Sequence, residues 1–106
     1  MLTMASTEKF VQWIENGKQL GKVFSFELNG KTCWSSVGIQ KWQGIYKVYV
    51  DEIEEENMVA EIYLREEINQ FNNLNEALNF IEKKTRTSIT DMQICKGQKV
   101  FNPNFE

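Results

Sequence analysis

The sequence predicts an α+β domain: a four-stranded, mainly antiparallel β-meander with an N-terminal and a C-terminal helix packed on the sheet. Three observations carry this. Asn29-Gly30 separates two β-rich runs and supplies the paired positive φ angles of a type I′ hairpin turn. Two further runs, 44–51 and 58–65, alternate apolar and polar residues with the period of a strand. Segments with helical apolar spacing flank these runs, giving the order α-β-β-β-β-α plus a short C-terminal helix or strand. With 106 residues and no repeat, linker or composition break, the chain reads as one domain spanning 1–106.

Each element has its own local signals. In 6–17, Phe10, Trp13 and Ile14 form an i, i+3, i+4 stripe, Ser6 or Thr7 is placed to cap the first turn, and Asn16-Gly17 supplies a left-handed stop. In the hairpin, a two-residue turn sets Phe26 opposite Cys33 and Ser25 opposite Trp34. Cys33 then shares a face with Phe24, Phe26 and Leu28, and Trp34 takes the other. The stretch Gly38–Gly44 reads as a loop long enough to let the second strand bend. In the third strand, Tyr46, Val48 and Val50 oppose Ile45, Lys47 and Tyr49. In the fourth, Met58, Ala60, Ile62 and Leu64 are expected inward, with Val59, Glu61, Tyr63 and Arg65 outward. Asn73 with Glu76 forms a capping box ahead of Leu74, Ala77, Leu78 and Ile81. In the tail, 88–91 has the outline of a second capping box, with a strand through 93–95 as the competing reading, and Val100 and Phe101 pin the end to the core.

Composition narrows the chemistry. The chain has no histidine, which removes the commonest general base, zinc ligand and activator of serine or cysteine nucleophiles. Cys33 and Cys95 fall in no metal or redox spacing and are expected to be reduced, packed thiols. The six glycines match neither a P-loop nor a dinucleotide fingerprint and read as turn and cap positions. Asp51, Glu52, Glu61, Glu66 and Glu67 form a pool of carboxylates, but their positions look solvated and no constellation meets the requirements of an active site. We therefore expect no catalytic residue, no cofactor and no metal site. No apolar run approaches the ~18 residues of a membrane span, and the first residues lack the pattern of a signal peptide, which together predict a cytoplasmic protein with no membrane partner. Two arginines against ten lysines fit an AT-rich bacterial or phage genome.

The net charge of −3 is unevenly spread: residues 1–50 carry +3, 51–69 carry −7, and the remainder +1. Glu54-Glu55-Glu56 reads as a solvated hairpin tip, in preference to a cation site or a docking patch for a basic partner. The face away from the helices carries Trp34, Tyr49 and Tyr63, with Trp42 in the adjoining loop. Tryptophan and tyrosine are enriched at binding hot spots, so this face is either an interface or a core surface covered by the helix carrying Trp13. Over about residues 22 to 85 the expected strand order is similar to that of the Whirly type of single-strand-binding module, a likeness of topology without a residue-by-residue motif. If single-stranded nucleic acid is the ligand, its bases stack on the aromatics and Lys22, Lys31, Lys41 and Lys47, all in the basic half, track the phosphates.

The resulting expectation is a small non-enzymatic protein-binding domain, of accessory, inhibitor or immunity type, acting through Trp34, Trp42, Tyr49, Tyr63, Lys31 and Lys47. Its partner would be another protein or a second copy of itself. Single-stranded nucleic-acid binding is the first alternative, and a small enzyme using carboxylates the second.

Overall fold

The structure, a computed structural model, describes residues 4–104, with side chains from Thr7 onward. The chain runs α1 (Met4–Glu15), β1 (Leu20–Leu28), β2 (Lys31–Trp42), β3 (Ile45–Glu54), a 3₁₀ turn (Glu55–Asn57), β4 (Tyr63–Phe71), α2 (Leu74–Lys84), a second 3₁₀ turn (Ile89–Asp91) and β5 (Gln93–Ile94). The sheet is antiparallel in the order β4-β3-β2-β1-β5. It is the expected α+β meander with one small strand added at the edge.

Helix α1 begins at Met4, so Ser6 and Thr7 lie within its first turn and do not precede it. Its end matches expectation: Gly17 takes φ 84°, Gly17 N donates to Ile14 O, and Lys18 N donates to Trp13 O, the paired bonds of a Schellman motif. Asn73 caps α2 by accepting from Glu76 N at 2.8 Å. Ala77 and Ile81 are fully buried below it. The helices cover one face of the sheet, where Phe10, Ile14, Leu20, Val37, Ile39, Tyr46, Val48, Val50, Ala77, Ile81, Ile89 and Met92 form the core. Each fully buried valine or isoleucine there contributes about 1.5–3 kcal/mol.

Residues Ser25↔Trp34 and Phe26↔Cys33 pair as expected, and Cys33 is a buried free thiol on the helix side. Three expectations need correction. First, 38–44 is no loop: β2 continues through Gly38 to Trp42, and a second tight turn at Gln43-Gly44 (φ 53° and 81°) repeats the geometry of Asn29-Gly30 (φ 52° and 78°). Second, the fourth strand is Tyr63–Phe71, and Met58–Glu61 form a turn. Pairing along β3 reaches Tyr46↔Phe71, so a strand ending at Arg65 would leave half of β3 without a ladder partner. Met58, Ile62 and Leu64, expected inward, are 44%, 59% and 51% exposed. Third, Gly21 and Gly38 are not turn residues. They pair with one another inside β1 and β2.

The tail explains that glycine pair. After β5, residues 96–101 cross the face of the sheet opposite the helices. A Cβ on Gly21 would lie 2.6 Å from Val100 Cγ2, and one on Gly38 would lie 3.0 Å from Phe101 Cδ1. The Phe101 ring stacks on Tyr49, with centroids 5.6 Å apart and planes 8° apart. The strap is held by Gln19, which is fully buried. Its Nε2 donates to Gln40 Oε1 (2.8 Å) and Phe101 O (2.9 Å), and its Oε1 accepts from Val100 N (2.8 Å) and Phe101 N (3.3 Å). The backbone oxygen of Gln19 accepts from Cys95 N, and Gln40 Nε2 donates to Gly17 O.

Gln19→Leu removes four bonds while keeping the volume, and should cost about 3 kcal/mol because buried amide groups lose their partners. Gly38→Val should cost about 1–3 kcal/mol through overpacking against Phe101. Urea unfolding followed by fluorescence checks both; changes below about 0.5 kcal/mol in the pair would show that the strap is not coupled to the fold.

Candidate functional site

The strand register arranges the second face in rows that run across the sheet. Ser25, Trp34, Ile53 and Tyr63 form one row, and Val23, Ser36, Asp51 and Glu66 the next. Gly21, Gly38, Tyr49 and Ile68 follow, and then Gln40, Lys47 and Gln70. The last two rows lie on the strap side, where Phe101 stacks on Tyr49 and Tyr49, Gln40 and Lys47 are buried. In the first two rows Val23, Ser25, Tyr63 and Glu66 are exposed and Trp34 and Ser36 half-buried, over Ile53 and Asp51, which are buried.

A bulge brings Tyr63 into the open region. Glu52 pairs with Arg65, but Ile53 pairs with Tyr63, so Leu64 is the extra residue and the alternation of β4 changes phase. Tyr63 therefore stands with Ile53 on the second face, while Arg65 faces α2 and donates to Lys84 O at 2.7 Å. The expectation that Arg65 shares the outward face of Tyr63 fails for this reason.

Between these rows lies a pocket of about 220 Å³ lined by Val23, Trp34, Ser36, Asp51, Ile53, Met58, Glu61 and Tyr63. Trp34 is half-buried, and its Nε1 donates to Glu55 Oε1 at 3.0 Å, which ties it to the 3₁₀ turn. Asp51 sits at the floor: Oδ1 accepts from Ser36 N (2.8 Å) and Oδ2 lies 2.9 Å from the Tyr49 hydroxyl. Glu61 stands at the rim in a left-handed conformation, φ 55°.

The Tyr49 hydroxyl is also 2.9 Å from Glu66 Oε2. A phenol has one hydrogen to donate, so two ionised carboxylates around it leave one oxygen pair without a proton between them. Burial raises the Asp51 carboxyl above its ordinary aspartate value and the nearby Glu66 charge adds to this, while the bonds from Tyr49 and Ser36 act in the opposite direction. Burial, followed by the two carboxylates, raises the Tyr49 hydroxyl far above the usual tyrosine range. Burial and then the charges of Glu66, Asp51 and Glu61 raise Tyr63 as well, so the pocket has a negative potential.

Of the six residues expected to form the site, the structure brings only Trp34 and Tyr63 together in this open region. Tyr49 lies beneath Phe101. Trp42 is at the far end of β2, beside a separate depression of about 540 Å³ formed with Gln40, Lys99, Phe101, Asn102 and Pro103. Lys31 lies at the hairpin tip, held by Glu56 (2.7 Å) and Glu54 (3.4 Å), and the hydrogen bond to Glu56 followed by the charge of Glu54 raises its pKa. Lys47 is 6% exposed. The helix carrying Trp13 covers the opposite face, where Trp13 packs against the core. Val23, Ile53 and Met58 were not foreseen at the site; Phe101, expected to pin the tail, does so against Tyr49 and Gly38 on the second face, and two glycines paired within strands were the available signal for that placement.

The carboxylate pool is divided. Asp51 and Glu66 share Tyr49 on the second face, whereas Glu52 pairs with Arg86 and Glu67 with Arg65 on the helix side. Among the described residues no cluster of three or more cysteines or acids could hold a metal ion, and no helix is long and apolar enough to cross a membrane. No protein-family model, curated protein or solved structure matches the chain.

Asp51 titrates higher in the folded than in the unfolded chain, so its ionisation opposes folding. Below the ordinary value of 3.8 the cost is absent, and it grows as pH rises through the window above that value. Asparagine keeps the acceptor for Ser36 and lets Tyr49 donate to Glu66. The stability of Asp51→Asn relative to wild type should therefore rise as pH increases above 3.8 in urea titrations; a constant difference would show that Asp51 ionises without cost.

Proposed function

We propose that this chain is a small non-enzymatic protein-binding domain, of accessory, inhibitor or immunity type, whose contact surface is the open half of the second sheet face. The observation that carries the proposal is the grouping of Trp34 and Tyr63 with Val23 and Met58 around one pocket, beside the exposed side chains of Val59, Ile62 and Leu64. Val23 is 58% exposed, Val59 100% and Tyr63 37%. Large apolar groups concentrated at one end of a sheet, with tryptophan and tyrosine among them, match the composition of interface centres. The sheet gives this surface a rigid base, so little ordering entropy opposes association.

A protein partner fits better than single-stranded nucleic acid. Lys31 is ion-paired with two glutamates, Lys47 is buried, and Asp51, Glu61 and Glu66 bring negative charge to the face where phosphates would run. A two-fold pairing of this surface with a second copy would oppose the same carboxylates to themselves, which favours a different chain as partner.

The test is affinity capture from native lysate with wild type, Trp34→Ala, Tyr63→Ala and a control on α2, Lys83→Ala. A nuclease-resistant protein retained by wild type and control should be lost by the two aromatic variants, which weaken association by about 2 kcal/mol each while the folded state persists. Equal retention by wild type and all three variants, or a ligand destroyed by nuclease, would overturn the proposal.

A further inference from the structure

We infer that the pocket between Trp34 and Tyr63 takes one cationic side chain, a lysine or arginine, from an exposed segment of the partner protein. This rests on the interface proposed above and specifies what enters it. Two of the eight lining residues, Asp51 and Glu61, are carboxylates, and none is basic. Glu66 is the direct register partner of Asp51 on β4, with the Tyr49 hydroxyl between their carboxylates. Among the described residues Asp51, Glu61 and Glu66 form no ion pair, whereas Lys31 is held by Glu54 and Glu56, Arg65 by Glu67 and Arg86 by Glu52. Among the described residues the pocket carboxylates thus have no ion-pair partner, and residues 51–69 as a whole carry −7.

The remaining walls suit the other parts of such a side chain. Val23, Ile53 and Met58 offer apolar surface to a methylene stem. Trp34 and Tyr63 add aromatic rings, which attract an ammonium or guanidinium group within about 6 Å of the ring centroid. A volume of about 220 Å³ equals the liquid share of about seven waters, room for one long side chain and too little for a folded element. A neutral apolar occupant would strip water from Asp51 and Glu61 without replacing it, and an anionic one would meet their charge directly.

The experiment is an NMR titration of the full chain with an end-capped Gly-Ser-Arg-Ser-Gly peptide, its lysine counterpart and two neutral controls carrying citrulline or norleucine. The Trp34 indole signal and the amides of Asp51, Glu61 and Tyr63 should shift saturably with the arginine or lysine peptide. Neutral peptides should bind at least about tenfold more weakly. Glu61→Gln, a change at an exposed rim position, should weaken the charged peptides by several-fold without altering the rest of the spectrum, and added salt should act in the same direction. Equal binding of charged and neutral peptides, or no shift at these four signals with millimolar peptide, would overturn the inference. If a captured partner still requires Trp34 and Tyr63 in that case, the interface stands and only its cationic occupant is wrong. If capture is indifferent to the two aromatics, the interface itself falls.

Discussion

The side chain of Gln19 uses both of its donor hydrogens and both acceptor positions inside the protein, and the arrangement of the second sheet face follows from where those bonds lead. They run to Gln40 on β2 and to the backbone of Val100 and Phe101, so one buried amide joins the end of the α1–β1 connection, a central strand and the tail. An amide buried without such partners costs more than it contributes, which makes this network an all-or-none feature of the fold. Glycines at positions 21 and 38 complete it by leaving the backbone bare where Val100 and Phe101 lie.

The strap divides the sheet face into two parts with different roles. On one side, Tyr49, Gln40 and Lys47 are buried, with Gln40 tied to Gln19 and Gly17. On the other, Trp34 and Tyr63 remain accessible beside carboxylates. The exposed surface is therefore one that the tail leaves uncovered. The bulge at Leu64 and the 3₁₀ turn with Glu55 set its outer boundary, one by turning Tyr63 onto this face and the other by anchoring the Trp34 indole. Rigid elements thus position both aromatics, although the connection between β3 and β4 is irregular.

Much of the architecture was legible because local signals agreed with one another. Asn29-Gly30 fixed the register of β1 and β2, Gly17 ended α1, and Asn73 with Glu76 opened α2, each through bonds that involve only near neighbours in the chain. The failures have a common origin in long-range pairing. Alternation through Met58–Arg65 fits a strand, but β3 extends back to Tyr46 and draws the pairing partner along to Phe71. Gly38 resembles a break until Phe101 is seen to need the space, and no pattern within 30–45 announces a residue sixty positions away. The site shows the same split: Trp34 was placed correctly by hairpin register and Tyr63 reached the expected face only through a bulge, whereas Tyr49, identified by alternation as outward-facing, is outward and yet covered.

The sequence distance spanned by the strap orders the assembly of the molecule. The central strands join nearest neighbours through short turns, whereas Gln19 meets Val100 and Phe101 across separations of 81 and 82 residues. A chain emerging from the ribosome can close the β1–β2 and β2–β3 hairpins before its hundredth residue emerges. Until then the glycine groove and the Gln19 amide lack the residues that cover them in the folded chain, a channel across the sheet that residues 96–101 fill later.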